Sequence, residues 1–179
     1  MNGDKVPLAL AFLVCALATD AVLRRAHRKE ANKRYAEKTQ QVAILIKNAD
    51  ERLSWSASRI AKAIRDGEFT SVEITLAYMK HLSMVNLYIN AMVASRFDRA
   101  LVEAHEADEI VAHHRKTKSP TPPFLGVPMM SKEVFELPGM PFSAGVFALR
   151  QRYGKRTAFA IGKVQREGGV IILGKRSHK

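Results

Sequence analysis

The stretch Arg166-Glu167-Gly168-Gly169-Val170-Ile171-Ile172-Leu173-Gly174-Lys175 constrains this chain more than any other. Four branched apolar residues in a row, with no polar residue among them, leave a strand no solvated face, so Val170 to Leu173 must be covered on both sides and flanked by other strands. The residues from Thr157 to Glu167 form a helix despite Gly162, and the glycine pair stops it. Helix, glycine pair and buried parallel-type strand are the signature of an α/β fold. At 179 residues the chain holds one domain with a core and is short for two.

Upstream, the periodicity is helical. Ala57, Ile60, Ala61 and Ile64 share one face, and Gly67 closes the run as a C-terminal cap. Thr70 with Glu73 reads as a capping box ahead of a stripe made by Val72, Leu76, Met79 and Leu82. The segment Leu87 to Ser95 is apolar and branched enough for a strand. Ser95 and Asp98 then open a third helix, whose stripe of Ala100, Ala104, Ala107 and Val111 is small enough to demand close packing. Three prolines in four positions, Pro120, Pro122 and Pro123, break the chain before a second buried strand over 124–130.

The amino terminus is of a different character. Residues 6–18 are uninterrupted apolar text, and counting on to Leu23 past Thr19 and Asp20 reaches the minimum for crossing a bilayer. Ala16-Leu17-Ala18 resembles a signal-peptide cleavage site, which is the rival reading. The cations Arg24, Arg25, Arg28, Lys29, Lys33 and Arg34 outnumber Lys5 and the amino group, and positive flanks stay cytoplasmic, so a single-pass membrane anchor over 1–25 is favoured. A basic juxtamembrane helix over 26–53 follows, attracted to anionic headgroups. The soluble domain occupies 54–179.

A formal charge of +12 invites a nucleic-acid partner. The cations nevertheless cluster at two ends without an aromatic basic sheet, zinc-finger or basic-zipper pattern, so none is expected. Cys15 is the only cysteine, which excludes an intrachain disulfide and a four-cysteine zinc site. Adjacent His113 and His114 point about 100° apart on a helix and do not chelate one ion. Neither a metal nor a cofactor is expected.

The second buried strand runs into Gly126-Val127-Pro128-Met129-Met130-Ser131-Lys132-Glu133, which sets a strongly solvated cation behind an apolar run. Lys132 has two readings: a stem along the core with its ammonium in solvent, or a partly desolvated amine that serves as a general base. Composition and spacing leave both open. Glu133 beside it reads as a surface carboxylate.

From Ser54 to Lys175 the chain resembles the amidase signature family, and in particular its membrane-anchored fatty-acid amide hydrolases. The resemblance is carried by SASRIAKAIRDGEFTSVEITLAYMKHLSMVN, INAMVA, PPFLGVPMMSKEVFELPGMPFSAG and REGGVIILGK. It implies the amino-terminal portion of the family's α/β/α fold, a mixed sheet flanked by helices, preceded by a single transmembrane helix. It also implies hydrolysis of a lipid amide at a membrane by a Ser-cisSer-Lys triad, with Lys132 as the terminal base, and a homodimer in the full-length form. The nucleophilic and bridging serines of that triad belong to a glycine- and serine-rich segment that residues 1–179 do not contain. Ser131 and Ser143 lie outside such a motif, and Arg176-Ser177 stand where the family has Thr-Asn. A fragment bearing the base and inactive alone is therefore expected. The alternatives are a general amidase or one component of an amidotransferase, and a noncatalytic membrane-tethered protein.

Overall fold

The computed structural model describes residues 8–177, so the first residues of the expected anchor lie outside the described part. Helix α1, Leu8–Lys47, belongs to one unit; residues from Asn48 onward form a second. Among the described residues no helix is long and apolar enough to cross a membrane.

The second unit opens with Asp50, whose carboxylate accepts from Arg52 N and caps a 3-10 turn, Glu51–Ser54. Ser56 caps α2, Ala57–Asp66, and Gly67 ends it at φ +73°. Most of the predicted face is buried: Ile60, Ala61 and Ile64, joined by Ala63, pack with Phe69, Ile74, Ala107, Val111, Leu125 and Val127, while Ala57 at the start of the helix is exposed. Each fully buried isoleucine there contributes roughly 1.5–3 kcal/mol. Trp55 covers the rim of this cluster, its ring 6.0 Å from that of Phe69.

Helix α3, Ser71–Ile89, begins with the predicted capping box of Thr70 and Glu73. It runs further than the sequence pattern indicates. Asn90 adopts the left-handed conformation that asparagine tolerates at a helix end, and Asn86 Oδ1 takes the Met92 N–H. The strand expected over 87–95 is therefore reduced to β1, Met92–Ser95. Ser95 pairs with Gly174 in the sheet and caps nothing; Arg96 stands at the start of α4, Phe97–Thr117. The small stripe behaves as predicted, with Ala100, Ala104, Ala107 and Val111 all buried.

Two further strands complete the sheet: β2, Pro128–Lys132, and β3, Ile171–Arg176, in the order β1-β3-β2. The central strand runs antiparallel to β1 and parallel to β2, so it has neighbours on both sides. Ile171 and Leu173 face α3 and α4 through Met79, Ala100 and Ala104. Ile172 faces the other way, onto Leu137, Met140 and Ile161. The expected helix over 157–167 is divided: α5 covers Phe159–Lys163, and a wider π turn, Val164–Gly168, carries the chain to Gly169 at φ +74°.

One contact ties α4 to the start of α3. The Asp108 carboxylate accepts from Ser71 N at 2.6 Å and Val72 N at 3.1 Å, two donors that the helix itself cannot satisfy. Asp108→Ala leaves the Ser71 amide buried without a partner and should lower stability by about 1–3 kcal/mol, measured by urea denaturation.

Candidate functional site

The site begins at a turn that only glycine fits. Gly126 has φ +79°, and a Cβ there would lie 2.6 Å from Ser71 Oγ, which instead donates to Gly126 O at 2.8 Å. Gly126 N in turn donates to Gly169 O, and Ile171 N to Val127 O, so both parallel strands start from one hydrogen-bonded junction. This turn is why β2 starts at Pro128 and reaches Lys132, a few residues later than the strand the sequence pattern indicates.

Register decides what stands at the other end. Ser131 aligns with Lys175 and Lys132 with Arg176, after an irregularity between Met129 and Met130. Lys132 is partly buried at the carboxyl end of β2. Among the described residues its ammonium makes no hydrogen bond or ion pair, and no serine hydroxyl is bonded to it. Ser131 Oγ donates to Lys132 O at 3.3 Å, and Ser143 Oγ accepts from Gly145 N.

The surface role expected for Glu133 is overturned. Glu133 is 3% exposed. One carboxylate oxygen, Oε1, accepts from Ser143 N, and the other, Oε2, is buried with no hydrogen-bond partner among the described residues. Glu133 stands in the turn that follows β2, and the chain folds back over it at Ser143.

Lys175 is the residue that sequence reading passed over. Its relative exposure is 0%, and its Nζ donates to Pro141 O at 2.7 Å and to Glu133 O at 3.4 Å. The Phe142 ring lies 5.6 Å from the same nitrogen. Burial holds the ammonium's pKa below its ordinary value of 10.5, and the carboxylates of Glu133 and Glu136 oppose that shift. A lysine directly following an unbroken apolar strand, with one glycine between, was the available signal. At Gly174 a Cβ would lie 2.3 Å from Ala94 O, so a residue without a side chain lets β1 approach closely just before Lys175, and the pairing with β1 is irregular between Met92 and Ala94.

Both buried charges hold the same object. Residues 139–154 form a loop closed at its base by Gly139 N to Gly154 O, Gly154 N to Met140 O and Phe142 N to Arg152 O. Lys175 binds this loop at Pro141 and Glu133 binds it at Ser143, one residue either side of Phe142. A cavity of about 520 Å³ opens beside the base, lined by Val134, Glu136, Phe142, Arg156, Thr157 and Phe159 among others.

Comparison with known proteins places this arrangement. The Amidase family matches residues 73–177, more than half of the chain, and the chain belongs to that family. It is 37% identical over 120 residues to fatty-acid amide hydrolase 2-A of Danio rerio, an overlap covering 65% of this chain and 23% of that protein. It is 29% identical over 118 residues to acetamidase of Emericella nidulans, covering 66% and 21%. Among solved structures, native peptide amidase from Stenotrophomonas maltophilia superposes with a TM-score of 0.59 at 24% identity, over 70% of this chain and 25% of that one, which supports the fold. The chain thus spans less than a quarter of the length of these two curated relatives.

The buried ammonium has a signed consequence. With its folded pKa lowered, Lys175 binds a proton more weakly in the folded than in the unfolded chain. Its destabilising contribution is fully present below the folded pKa and is relieved as pH rises from there towards 10.5. The stability difference between the wild type and Lys175→Met should therefore shift in favour of the wild type across that alkaline window. A difference independent of pH, from denaturant melts at several pH values, would refute the assignment.

Proposed function

We propose that this chain carries the lysine base of a serine hydrolase that cleaves fatty-acid amides at a membrane. The observation that carries the reading is Lys132. It closes the Gly126-Val127-Pro128 segment within the residues the Amidase family matches, at the end of a strand, partly shielded from solvent. No carboxylate or carbonyl among the described residues occupies its amine, which leaves that group's hydrogen-bonding capacity for an incoming hydroxyl.

In this reading a bridging serine passes the nucleophile's proton to the Lys132 amine as the serine oxygen attacks the amide carbonyl. Backbone N–H groups meet the charge that develops on the carbonyl oxygen. The proton then returns to the leaving amine. Both serines come from polypeptide bearing the glycine- and serine-rich segment, which residues 1–179 do not include.

A fatty acyl substrate is supported by the 37% identity to a fatty-acid amide hydrolase and by the apolar text before Leu23. That text is the basis for a single-pass anchor with the catalytic unit on the cytoplasmic side. A small-amide substrate is the second reading, favoured by the 29% identity to an acetamidase; an unchanged rate as the acyl chain is shortened would select it.

Residues 1–179 alone should release no amine from a long-chain fatty-acid amide. Combined with polypeptide supplying the serine segment they should do so, and Lys132→Ala should then lower kcat by about 10²–10⁴-fold. Turnover by residues 1–179 alone, or turnover in the combined system that survives Lys132→Ala, would overturn the assignment.

A further inference from the structure

We infer that the tip of the 139–154 loop is a docking surface for an anionic lipid bilayer, separate from α1 and independent of the catalytic reading. Its apolar side chains face water in a way that a folded chain normally avoids. Phe147 is 78% exposed, Tyr153 57% and Val146 49%, and Leu149 completes the group. They stand on an ordered tip. Val146 N bonds to Ser143 O, Leu149 N to Val146 O and Arg152 N to Leu149 O, around a 3-10 turn over Phe147–Leu149.

Charge identifies the occupant. Between residues 137 and 166 the sequence contains no aspartate or glutamate. Arg150, Arg152 and Lys155 are exposed and make no ion pair among the described residues. Arg150 lies over the Phe147 ring at 4.3 Å, at the tip, and Arg152 over Phe142 at 4.4 Å, nearer the base, so cations flank the apolar group from tip to base. An aromatic and aliphatic tip flanked by cations matches the boundary between acyl chains and anionic headgroups, where each part meets its own solvent. A polyanion in water satisfies the cations and leaves Val146 and Leu149 exposed, so nucleic acid fits less well.

The buried charges complete the case. Lys175 on Pro141 O and the Glu133 carboxylate on Ser143 N fix the base of the loop. The tip is thus presented in one shape, and little conformational entropy remains to be lost on docking.

The test uses the full chain with Cys15→Ser, so that Phe147→Cys gives a single thiol for an environment-sensitive NBD label. Vesicles of phosphatidylcholine with phosphatidylserine should shift the emission to the blue and brighten it. Phosphatidylcholine alone should do so weakly, and high salt should reverse the effect. The same label at Leu87→Cys, an exposed site at the end of α3, should stay silent. With the label moved to Val146→Cys and Phe147 kept, Phe147→Ser should weaken the response. Arg150→Gln, Arg152→Gln and Lys155→Gln together should lower partitioning by about 100-fold, about fivefold per cation. Vesicle pelleting without a change at position 147 would assign binding to α1 and overturn the inference. An equal response at 87 and 147, or the full response to a DNA oligonucleotide without lipid, would overturn it as well.

Discussion

A protonated amine held out of water at Lys175 is the interaction on which the arrangement around the sheet depends. Removing an ammonium from water is costly unless acceptors replace the lost hydration, and here those acceptors are the carbonyl oxygens of Pro141 and Glu133. The two carbonyls lie on segments that share no secondary-structure element. Their common donor therefore draws the loop at 139–154 onto the carboxyl ends of β2 and β3, next to Lys132 and Arg176.

Glu133 complements this. Its negative charge lowers the cost of the buried cation, and its Oε1 binds the chain two residues beyond the carbonyl held by Lys175. A buried pair of this kind is weak evidence for net stability, because desolvation offsets attraction. Its value lies in specificity: charges that must be satisfied by particular groups admit few alternative positions for the loop. The adjacent residue, Lys132, is half-buried at the end of β2, with its amine unbound among the described residues. Two consecutive residues at the end of β2 thus differ: the Glu133 carboxylate holds the loop, and the Lys132 amine holds nothing among the described residues.

Local chemistry was legible wherever a few adjacent residues settle it. The Thr70–Glu73 capping box, the Gly67 stop, the alanine stripe of α4 and the burial of Ile171–Leu173, with Val170 half-buried before them, all follow from contacts within one or two turns or from an unbroken apolar run. Boundaries failed where a competing partner lay far away in sequence. Ser95 was drawn into the sheet by Gly174, whereas α3 runs past the expected strand start and is closed by local contacts, Asn90 N on Asn86 O and Met92 N on Asn86 Oδ1.

For the candidate site the same division holds. The Gly-Val-Pro approach and the lysine that ends it were readable, because strand, turn and charge are written consecutively from Gly126 to Lys132. The burial of Glu133 and Lys175 was not. A carboxylate at the end of one strand and an amine on the next look like solvated residues until the chain returns at Pro141 to Ser143 and closes over them. Sequence by itself determined the kind and order of most elements and set Lys132 directly behind the apolar run that ends in β2. Only the tertiary structure decided which charges lose their water, since desolvation depends on segments that are distant in the chain and adjacent in space.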